Sequence, residues 1–257
     1  MNQIFDFVKR RGKENEMPIT TFKRFEMKFV LTKIQFDSLI PMLSDYMNLD
    51  AYCQNGKDYH INNIHYDTSD SSLIRASLLK PYYKEKFRLR SYGDIPTLED
   101  KVFLELKKKI AGVVNKRRAV MTLQEANDFM QSGKRPLVSN YINKQVLNEI
   151  EYFLKQNEIH PTLYISYKRI AYFAKTDKNF RITFDSDIRT RREDLSFRKG
   201  NYGSNLLEEN QFLMEIKITD SVPVWLVDIL TNLKIYKTNF SKYGKEYQNY
   251  CQSEKLL

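Results

Sequence analysis

Residues 86–90 read Lys86-Phe87-Arg88-Leu89-Arg90, and this stretch decides the fold that the sequence predicts. Side chains two positions apart on a strand point to the same face, so the three cations share one face and the two apolar residues share the other. Like charges this close repel each other unless an anion or a carboxylate lies among them. The stretch therefore predicts a strand with one apolar face and one strongly basic face.

The same alternation recurs in the other strand candidates of the chain. The polar sets that alternate with apolar residues are Arg24, Glu26 and Lys28; Glu105 and Lys107; Lys116 and Arg118; Tyr167 and Arg169; Arg181 and Asp185; and Glu215 and Lys217. Two interpretations of this pattern remain open. In one, a half-covered antiparallel sheet exposes its polar face to water and forms weak cross-strand ion pairs. In the other, an inverted barrel with helices on its apolar outside encloses a basic lumen that binds an anion.

An anion-binding lumen would also suit a metal ion. A triphosphate carries about four negative charges, and proteins neutralise it with several cationic side chains and a divalent metal. The acids on the basic faces are few, and Glu26, Glu105 and Glu215 are the candidate ligands for such a metal. The second interpretation therefore predicts a phosphate site with a small number of metal-holding carboxylates.

Local signals elsewhere predict an α+β fold. Capping boxes at Thr32 and Thr122 predict helices from residue 32 to about 47 and from 123 to 130. Further helices are expected at 71–79, 139–156, 225–233 and 241–250, and strands at 21–31, 61–67, 84–92, 101–109, 113–121, 163–173, 180–185 and 211–219, with a charged loop at 189–208. We expect a mostly antiparallel sheet of about eight strands, in a single domain at 21–250 that follows a lead-in at 1–20.

The net charge of +10 points to a polyanionic partner, although a lysine-rich solubilising surface would give the same charge. Nucleic acid, an anionic membrane surface and phosphate compounds are the candidate partners. The two cysteines, Cys53 and Cys251, are too few for a disulfide framework and are expected to be free thiols. No apolar run approaches the roughly 20 residues that span a bilayer, and the first residues lack a secretory apolar segment, so a cytoplasmic protein is expected.

Other enzyme signatures are weak or absent. No Gly-rich phosphate loop occurs, so side chains rather than a backbone loop must bind any nucleotide. His60, His65 and His160 lack metal-ligand spacing, and Asp185 with Asp187 fits a strand end better than a metal site. No RNA-binding signature accompanies the basic runs, and cations on an inward face do not suit a nucleic-acid surface, so no specific nucleic acid is expected.

Eight short segments follow one another along the chain, at 24–29, 86–92, 103–107, 116–118, 166–172, 181–185, 213–217 and 240–243. In this order they resemble the VTC-type polyphosphate polymerase domain of the triphosphate tunnel metalloenzyme superfamily. Each segment alone is a weak motif, but together they cover most of the chain, from about Phe22 to Tyr247. One departure is informative. The adenylate cyclase and thiamine triphosphatase branch opens with Glu-x-Glu-x-Lys, whereas this chain has Arg24 at the first acid position, which favours the polymerase branch.

The resemblance implies a closed tunnel of about eight antiparallel strands with a basic lumen, helices packed on the outside and a C-terminal closing helix. By position, it implies that Arg88, Arg90, Arg169 and Lys242 are catalytic, that Lys28, Lys107, Lys116, Tyr167, Arg181, Lys217 and Ser241 bind phosphate, and that Glu215, with Glu26 and Glu105, holds Mn²⁺ or Mg²⁺. The implied activity is transfer of the γ-phosphoryl group of ATP to a growing polyphosphate chain. A triphosphate or polyphosphate hydrolase of the same fold and a non-catalytic polyphosphate-binding module are the alternatives. ATP and inorganic polyphosphate are the implied partners, and any membrane partner would be a separate protein.

Overall fold

The computed structural model of the protein describes residues 25–79, 81–111, 113–137, 141–219 and 221–254. Its strands are β1 (Phe25–Leu31), β2 (Met47–Leu49), β3 (Tyr59–Asp67), β4 (Tyr83–Tyr92), β5 (Lys101–Ile110), β6 (Val113–Thr122), β7 (His160–Ala174), β8 (Arg181–Arg191), β9 (Ser204–Asn205), β10 (Phe212–Ile218) and β11 (Lys237–Thr238). Its helices are α1 (Lys33–Leu43), α2 (Ser72–Leu78), α3 (Leu123–Ser132), α4 (Tyr141–Gln156), α5 (Val224–Asn232) and α6 (Lys242–Ser253), with short 3₁₀ helices at Ala51–Gly56 and Phe197–Lys199. The predicted lead-in at 1–20 and Arg24 lie outside the described residues.

The strands form one antiparallel sheet in the order β11-β1-β10-β8-β7-β3-β4-β5-β6, with β2 beside β7 and β9 beside β8. The strands β1, β3 to β8 and β10 have seven residues or more, and the other three are short. Within the described ranges no hydrogen-bonded pairing joins β6 to β11 or β1, so the sheet is open and the closed tunnel that the resemblance implied is not seen. The sheet is nevertheless curled, as is evident from Glu26 on β1 lying within electrostatic range of Lys107 on β5, although these strands are not neighbours in the sheet.

Two hydrophobic cores cover the outer face of the sheet. Helices α3 and α4 pack on β3 to β6, where Phe87, Leu104 and Phe153 are buried together. Helices α1 and α5 pack on β1, β8 and β10, where Phe184 and Leu226 are buried. Since residues on a strand alternate between faces, these apolar contacts turn the charged residues between them to the opposite side, which we call the inner face.

A third core lies on the inner face and is closed by α2 and α6. Ile74 of α2 and Tyr243 of α6 are buried there against Ile165 and Leu213. Asp67 at the end of β3 joins the two helices, since it accepts hydrogen bonds from backbone N–H groups at the start of α2 and from the Tyr243 hydroxyl at 2.8 Å. The C-terminal helix therefore closes on the inner face as expected. The prediction that the remaining helices lie outside fits α2 only in part, because Ile74 packs in this inner core whereas Leu73 packs against the outer core beneath α3 and α4.

Several local predictions can be compared with the structure. Both capping boxes are present, because the hydroxyls of Thr32 and Thr122 each accept a hydrogen bond from the backbone N–H three residues later. The helix expected from residue 32 to about 47 ends earlier, and β2 occupies part of that range. The loop predicted at 189–208 is wrong at its start, because β8 continues to Arg191 and pairs with β9. None of the described helices is long and apolar enough to cross a membrane.

Candidate functional site

Three lysines lie side by side across neighbouring strands of the inner face. Lys86 on β4 is opposite Lys107 on β5, and Lys107 is opposite Lys116 on β6. Among the described residues, Lys116 pairs with Glu105 at 2.7 Å, whereas Lys86 and Lys107 form no ion pair. Burial and repulsion from neighbouring cations lower the pKa of Lys86 to about 7. Like charges directly opposite one another destabilise a sheet, so this row is suited to an anion that lies across it.

Glu105 lies at the centre of the neighbouring cations. Its side chain is almost fully buried, and it accepts hydrogen bonds from Arg88 Nε at 2.6 Å and from Arg118 Nε at 2.7 Å, in addition to its ion pair with Lys116. Burial alone would raise the pKa of this carboxyl group, but Arg88, Arg90 and Lys116 outweigh burial and lower the pKa far below its usual value. Both carboxylate oxygens are thus engaged by cations, which favours a counter-ion over a metal ligand.

Arg90 is held mainly by neutral groups. It is buried, and its Nε donates to Asn63 Oδ1 at 2.9 Å, while its terminal nitrogens donate to the hydroxyls of Tyr167 at 3.2 Å and Tyr92 at 3.4 Å. The nearest carboxylate is Glu105, 3.9 Å from Nε. Neutral acceptors orient the guanidinium group without cancelling its charge, so Arg90 keeps its attraction for an anion on the inner face.

Arg169 and Lys242 share one buried carboxylate. Arg169 donates to both oxygens of Asp185 at 2.6 and 2.8 Å, and Lys242, the first residue of α6, donates to the same carboxylate at 2.5 Å. The Lys242 ammonium group also lies 4.3 Å from the centre of the Tyr167 ring. Burial opposes ionisation of Asp185, but the two cations outweigh it and lower its pKa. Asp185 therefore anchors the closing helix and positions two predicted catalytic residues.

Two carboxylates meet at the β1–β10 side of the inner face. The Lys28 ammonium group lies 3.2 Å from Glu26 and 3.7 Å from Glu215, and Lys217 also pairs with Glu215. Burial opposes ionisation of Glu215, but Lys217 and Lys28 outweigh it and hold its pKa below its usual range. In the described part of the chain, no group of three or more His, Cys, Asp or Glu residues lies together as a metal site. Two ionised carboxylates are nevertheless the donor set that Mg²⁺ uses when phosphate oxygens and water complete its coordination.

Two predicted phosphate-binding residues lie at the margins of this arrangement. Arg181 is at the start of β8, where its guanidinium group packs over Phe173 and is opposite Lys217. Ser241 caps α6 by accepting from the backbone N–H of Gly244 at 3.3 Å, and Lys86 Nζ is 3.5 Å from the same hydroxyl. The hydroxyl of Ser241 thus links the closing helix to the row of lysines.

Sequence reasoning did not assign several residues that complete the site, namely Lys86, Arg118, Asn63, Tyr92 and Asp185. Lys86 and Arg118 stand in the charged alternation and could have been found from it. Asp185 also stands in the alternation, but only the pairing of β7 with β8 places it opposite Arg169. Asn63 carries no charge, and no sequence signal points to its contact with Arg90.

A family match and the fold of one solved structure agree with this architecture. Residues 23–250 match the VTC domain family. The fold is similar to that of a candidate adenylate cyclase from Bacillus halodurans, with a TM-score of 0.51 and 16% identity, over 84% of this chain and 92% of that chain. Similarity is lower to a candidate adenylate cyclase from Vibrio parahaemolyticus, with a TM-score of 0.44 and 11% identity over 87% and 97% of the two chains. It is also lower to the PH1819 protein from Pyrococcus horikoshii OT3, with a TM-score of 0.43 and 12% identity over 88% and 99% of the two chains.

The likeness to the Bacillus halodurans protein concerns the fold alone, given its low identity. The family match is different in kind, because it spans the strands that carry every cation of the inner face and extends to the closing helix. It therefore includes the lysine row, the cations around Glu105 and Asp185, the carboxylates of Glu26 and Glu215, and the cap of α6. On this match, the chain belongs to the VTC domain family.

Proposed function

We propose that this protein is an ATP-dependent polyphosphate polymerase. The observation that carries the proposal is the row of Lys86, Lys107 and Lys116 on the inner face, of which only Lys116 pairs with a carboxylate among the described residues. Such a row costs free energy in the ligand-free protein and becomes favourable when an anion lies against it. A chain of phosphates presents negative charge continuously along its length, and membership of the VTC domain family supports this choice of anion.

In the proposed reaction, an oxygen of the terminal phosphate of the chain attacks the γ-phosphorus of ATP. The bond from that phosphorus to the β–γ bridging oxygen breaks, and ADP leaves. Both reactants are polyanions, so their repulsion opposes the approach. The cations of the inner face would offset this repulsion and hold the two phosphates in line, so that catalysis rests on alignment and charge and needs no covalent enzyme intermediate.

The arginines would act on the phosphoryl group in transfer. Arg88 and Arg169 are each oriented in advance by a buried carboxylate, and Arg90 by neutral acceptors. Orientation before the substrate binds means that little reorganisation is needed when charge develops on the equatorial oxygens. Burial would raise the pKa of Tyr167, but Arg90, Arg169 and Lys242 outweigh burial and lower it to about 8, which makes its hydroxyl a strong hydrogen-bond donor to phosphate.

Glu26 and Glu215 are the residues that would hold Mn²⁺ or Mg²⁺, since both are ionised and lie against the same ammonium group of Lys28. An ion bound there would neutralise phosphate oxygens and polarise the γ-phosphorus. In the ligand-free protein, Lys28 and Lys217 neutralise these carboxylates. If a divalent cation bound the carboxylates instead, the two lysines would turn toward the phosphates. Glu105 is less suited to this task, because cations already engage both of its oxygens.

The test is incubation of the purified protein with ATP and Mn²⁺, with the products resolved on a polyacrylamide gel stained for polyphosphate. Lys242→Ala removes a cation held by Asp185 in the site, and Lys155→Ala removes an exposed lysine in the last turn of α4 on the outer side. We expect a ladder of long chains from the wild type and from Lys155→Ala, and none from Lys242→Ala.

Other products would refute the polymerase. Release of orthophosphate without polymer would assign the site to a hydrolase of the same fold. Unchanged ATP, in a protein that still binds inorganic tripolyphosphate, would make it a non-catalytic binding module. Equal loss of product in Lys242→Ala and Lys155→Ala would remove the inner face from the reaction altogether.

A further inference from the structure

A band of aromatic rings lies at one end of the cation cluster. Tyr52, Tyr59, Tyr92 and Phe103 follow one another, with ring centres 6.3, 6.4 and 5.4 Å apart from each ring to the next. Tyr52 is 81% exposed and Tyr92 is 39% exposed, while Tyr59 is half-buried between them. The proposed phosphate chemistry uses none of these rings as a ligand. Aromatic rings with exposed members beside a basic site are typical of surfaces that stack nucleobases.

The position of the band relative to the cations is set by the strands. On β4 the inner-face residues run in order from Lys84 and Lys86, through Arg88 and Arg90, to Tyr92. The lysine row thus lies toward one end of the strand, and Tyr92 lies at the other end. Tyr59 is opposite Arg169 in the pairing of β3 with β7, so a second ring borders a predicted catalytic cation. The band is therefore adjacent to the arginines and separated from Lys86 by them.

This order matches the chemistry of a nucleoside triphosphate. Its base is flat, apolar on both faces and uncharged, and the ribose separates it from the phosphates. A base on the aromatic band would let the triphosphate lie along Arg90, Arg169 and Arg88, with the lysines beyond its γ-phosphate. The hydroxyl of Tyr59 has no hydrogen-bond partner among the described residues, so it is available to the ribose or the base.

We propose that Tyr59 and Tyr92 form the base-binding subsite of this protein and that a purine nucleotide enters the inner face from the tyrosine end. This inference rests on the proposed use of ATP and adds where the base binds. Stacking on a phenol ring is favoured by a large flat base and requires no specific donors or acceptors. The subsite therefore prefers purine over pyrimidine nucleotides and distinguishes adenine from guanine weakly.

A different role for Tyr92 must be separated from base binding. Its hydroxyl accepts hydrogen bonds from Arg90 at 3.4 Å and from Arg118 at 3.1 Å, so a loss of Tyr92 could act by releasing two arginines. Tyr59 makes no such hydrogen bond, which makes Tyr59→Leu the informative variant. Tyr92→Phe removes only the hydroxyl and keeps the ring. Tyr152→Leu is the matched control, because Tyr152 is 64% exposed on α4 at the outer side.

The experiment compares the affinities of ATP and of inorganic tripolyphosphate for each variant by isothermal titration calorimetry. Tripolyphosphate reports on the phosphate site, and the ratio of the two affinities reports on the base. We expect Tyr59→Leu to weaken ATP binding about tenfold, the size of one base–aromatic stack, and to change tripolyphosphate binding less than twofold. Tyr92→Phe should keep the wild-type ratio, and Tyr152→Leu should change neither affinity.

The outcomes separate this inference from the proposed function. If Tyr59→Leu weakens ATP and tripolyphosphate by the same factor, or weakens neither, the base-binding subsite is wrong even in a protein that makes polyphosphate. If no polymer is made but the ratio changes as expected, the subsite stands and the polymerase fails. If the wild type binds neither ligand, the phosphate site and the base subsite fail together.

Discussion

Replacing Glu105 by Gln removes the negative charge that Arg88, Arg90, Lys116 and Arg118 surround, while it keeps the shape of the side chain. Breaking a buried ion pair by removing one partner typically costs about 3–5 kcal/mol, because the other charge stays uncompensated. The Glu105 side chain is 2% exposed, but its partners Arg88, Arg118 and Lys116 are 28, 33 and 41% exposed and keep some hydration. We therefore expect the low end of that range, about 3 kcal/mol, which is roughly 6–12 °C in Tm for a chain of this size.

The assay is thermal unfolding followed by circular dichroism at pH 7, with and without inorganic tripolyphosphate. The difference in Tm between wild type and Glu105→Gln should be large without ligand and smaller at saturating tripolyphosphate, because the anion then supplies the missing negative charge. Glu149→Gln is the control, since Glu149 pairs with Arg117 in a half-exposed ion pair. Its loss should cost at most about 1 kcal/mol, or roughly 2–4 °C.

The pH dependence gives a second measurement of the same charge. The pKa of Glu105 is lower in the folded protein than its usual value. The ionised carboxyl group therefore stabilises the folded protein at pH values above the usual pKa, and this stabilisation is lost as the pH falls below it. Glu105→Gln should therefore flatten the decline of Tm between about pH 5 and pH 3. A variant that unfolds within about 2 °C of wild type at pH 7 but loses affinity for Mn²⁺ would refute this reasoning and make Glu105 the metal ligand that the family resemblance implied.

Three further perturbations test other parts of the site. The pKa of Lys86 in the folded protein is about 7, below its usual value, so the stability of the ligand-free protein should increase as the pH rises from about 7 to 10. Lys86→Met should abolish this gain in Tm, and calorimetry should show weaker binding of tripolyphosphate. Arg169→Ala should lower polymer formation at least a hundredfold and Lys155→Ala less than twofold, as measured on stained gels; equal losses would contradict the assignment of the inner face. Asp185→Asn should weaken the hold on Lys242 and increase proteolytic cleavage at α6, and protection equal to wild type would show that other contacts anchor that helix.

The features that were predictable from the sequence are those set by neighbouring residues. The alternation of Lys86, Phe87, Arg88 and Leu89 determines which side chains share a face, whatever strands lie beside them. The capping box at Thr122 likewise depends only on residues three positions apart. For this reason the position of most strands and helices, and the basic inner face itself, could be predicted before any contact between strands was known.

The features that could not be predicted depend on register. Glu105 was expected to hold a metal, because a carboxylate among cations suits either role until the partners of each oxygen are known. The pairing of β5 with β6 brings Arg118 directly opposite Glu105 and so engages that carboxylate. The open edge between β6 and β11 is also a matter of pairing. The alternation of residue types specifies which side chains of a strand share a face, but not which strands pair with each other.

Under the proposed function, four cations of the inner face fall into two groups, which we expect to affect phosphate binding differently. Arg169 and Arg88 are held by buried carboxylates, which reduce their net attraction for an anion but fix their geometry. Lys86 and Lys107 have no ion-pair partner among the described residues, and their burial and mutual repulsion lower the pKa of Lys86 to about 7 and destabilise the ligand-free protein. In the proposed reaction, an incoming polyanion would relieve that repulsion, so Lys86 and Lys107 would supply affinity for phosphate while Arg88 and Arg169 would supply orientation at the reacting group. A site built only from paired cations would bind polyphosphate weakly, and one built only from unpaired lysines would hold the γ-phosphorus in no fixed position.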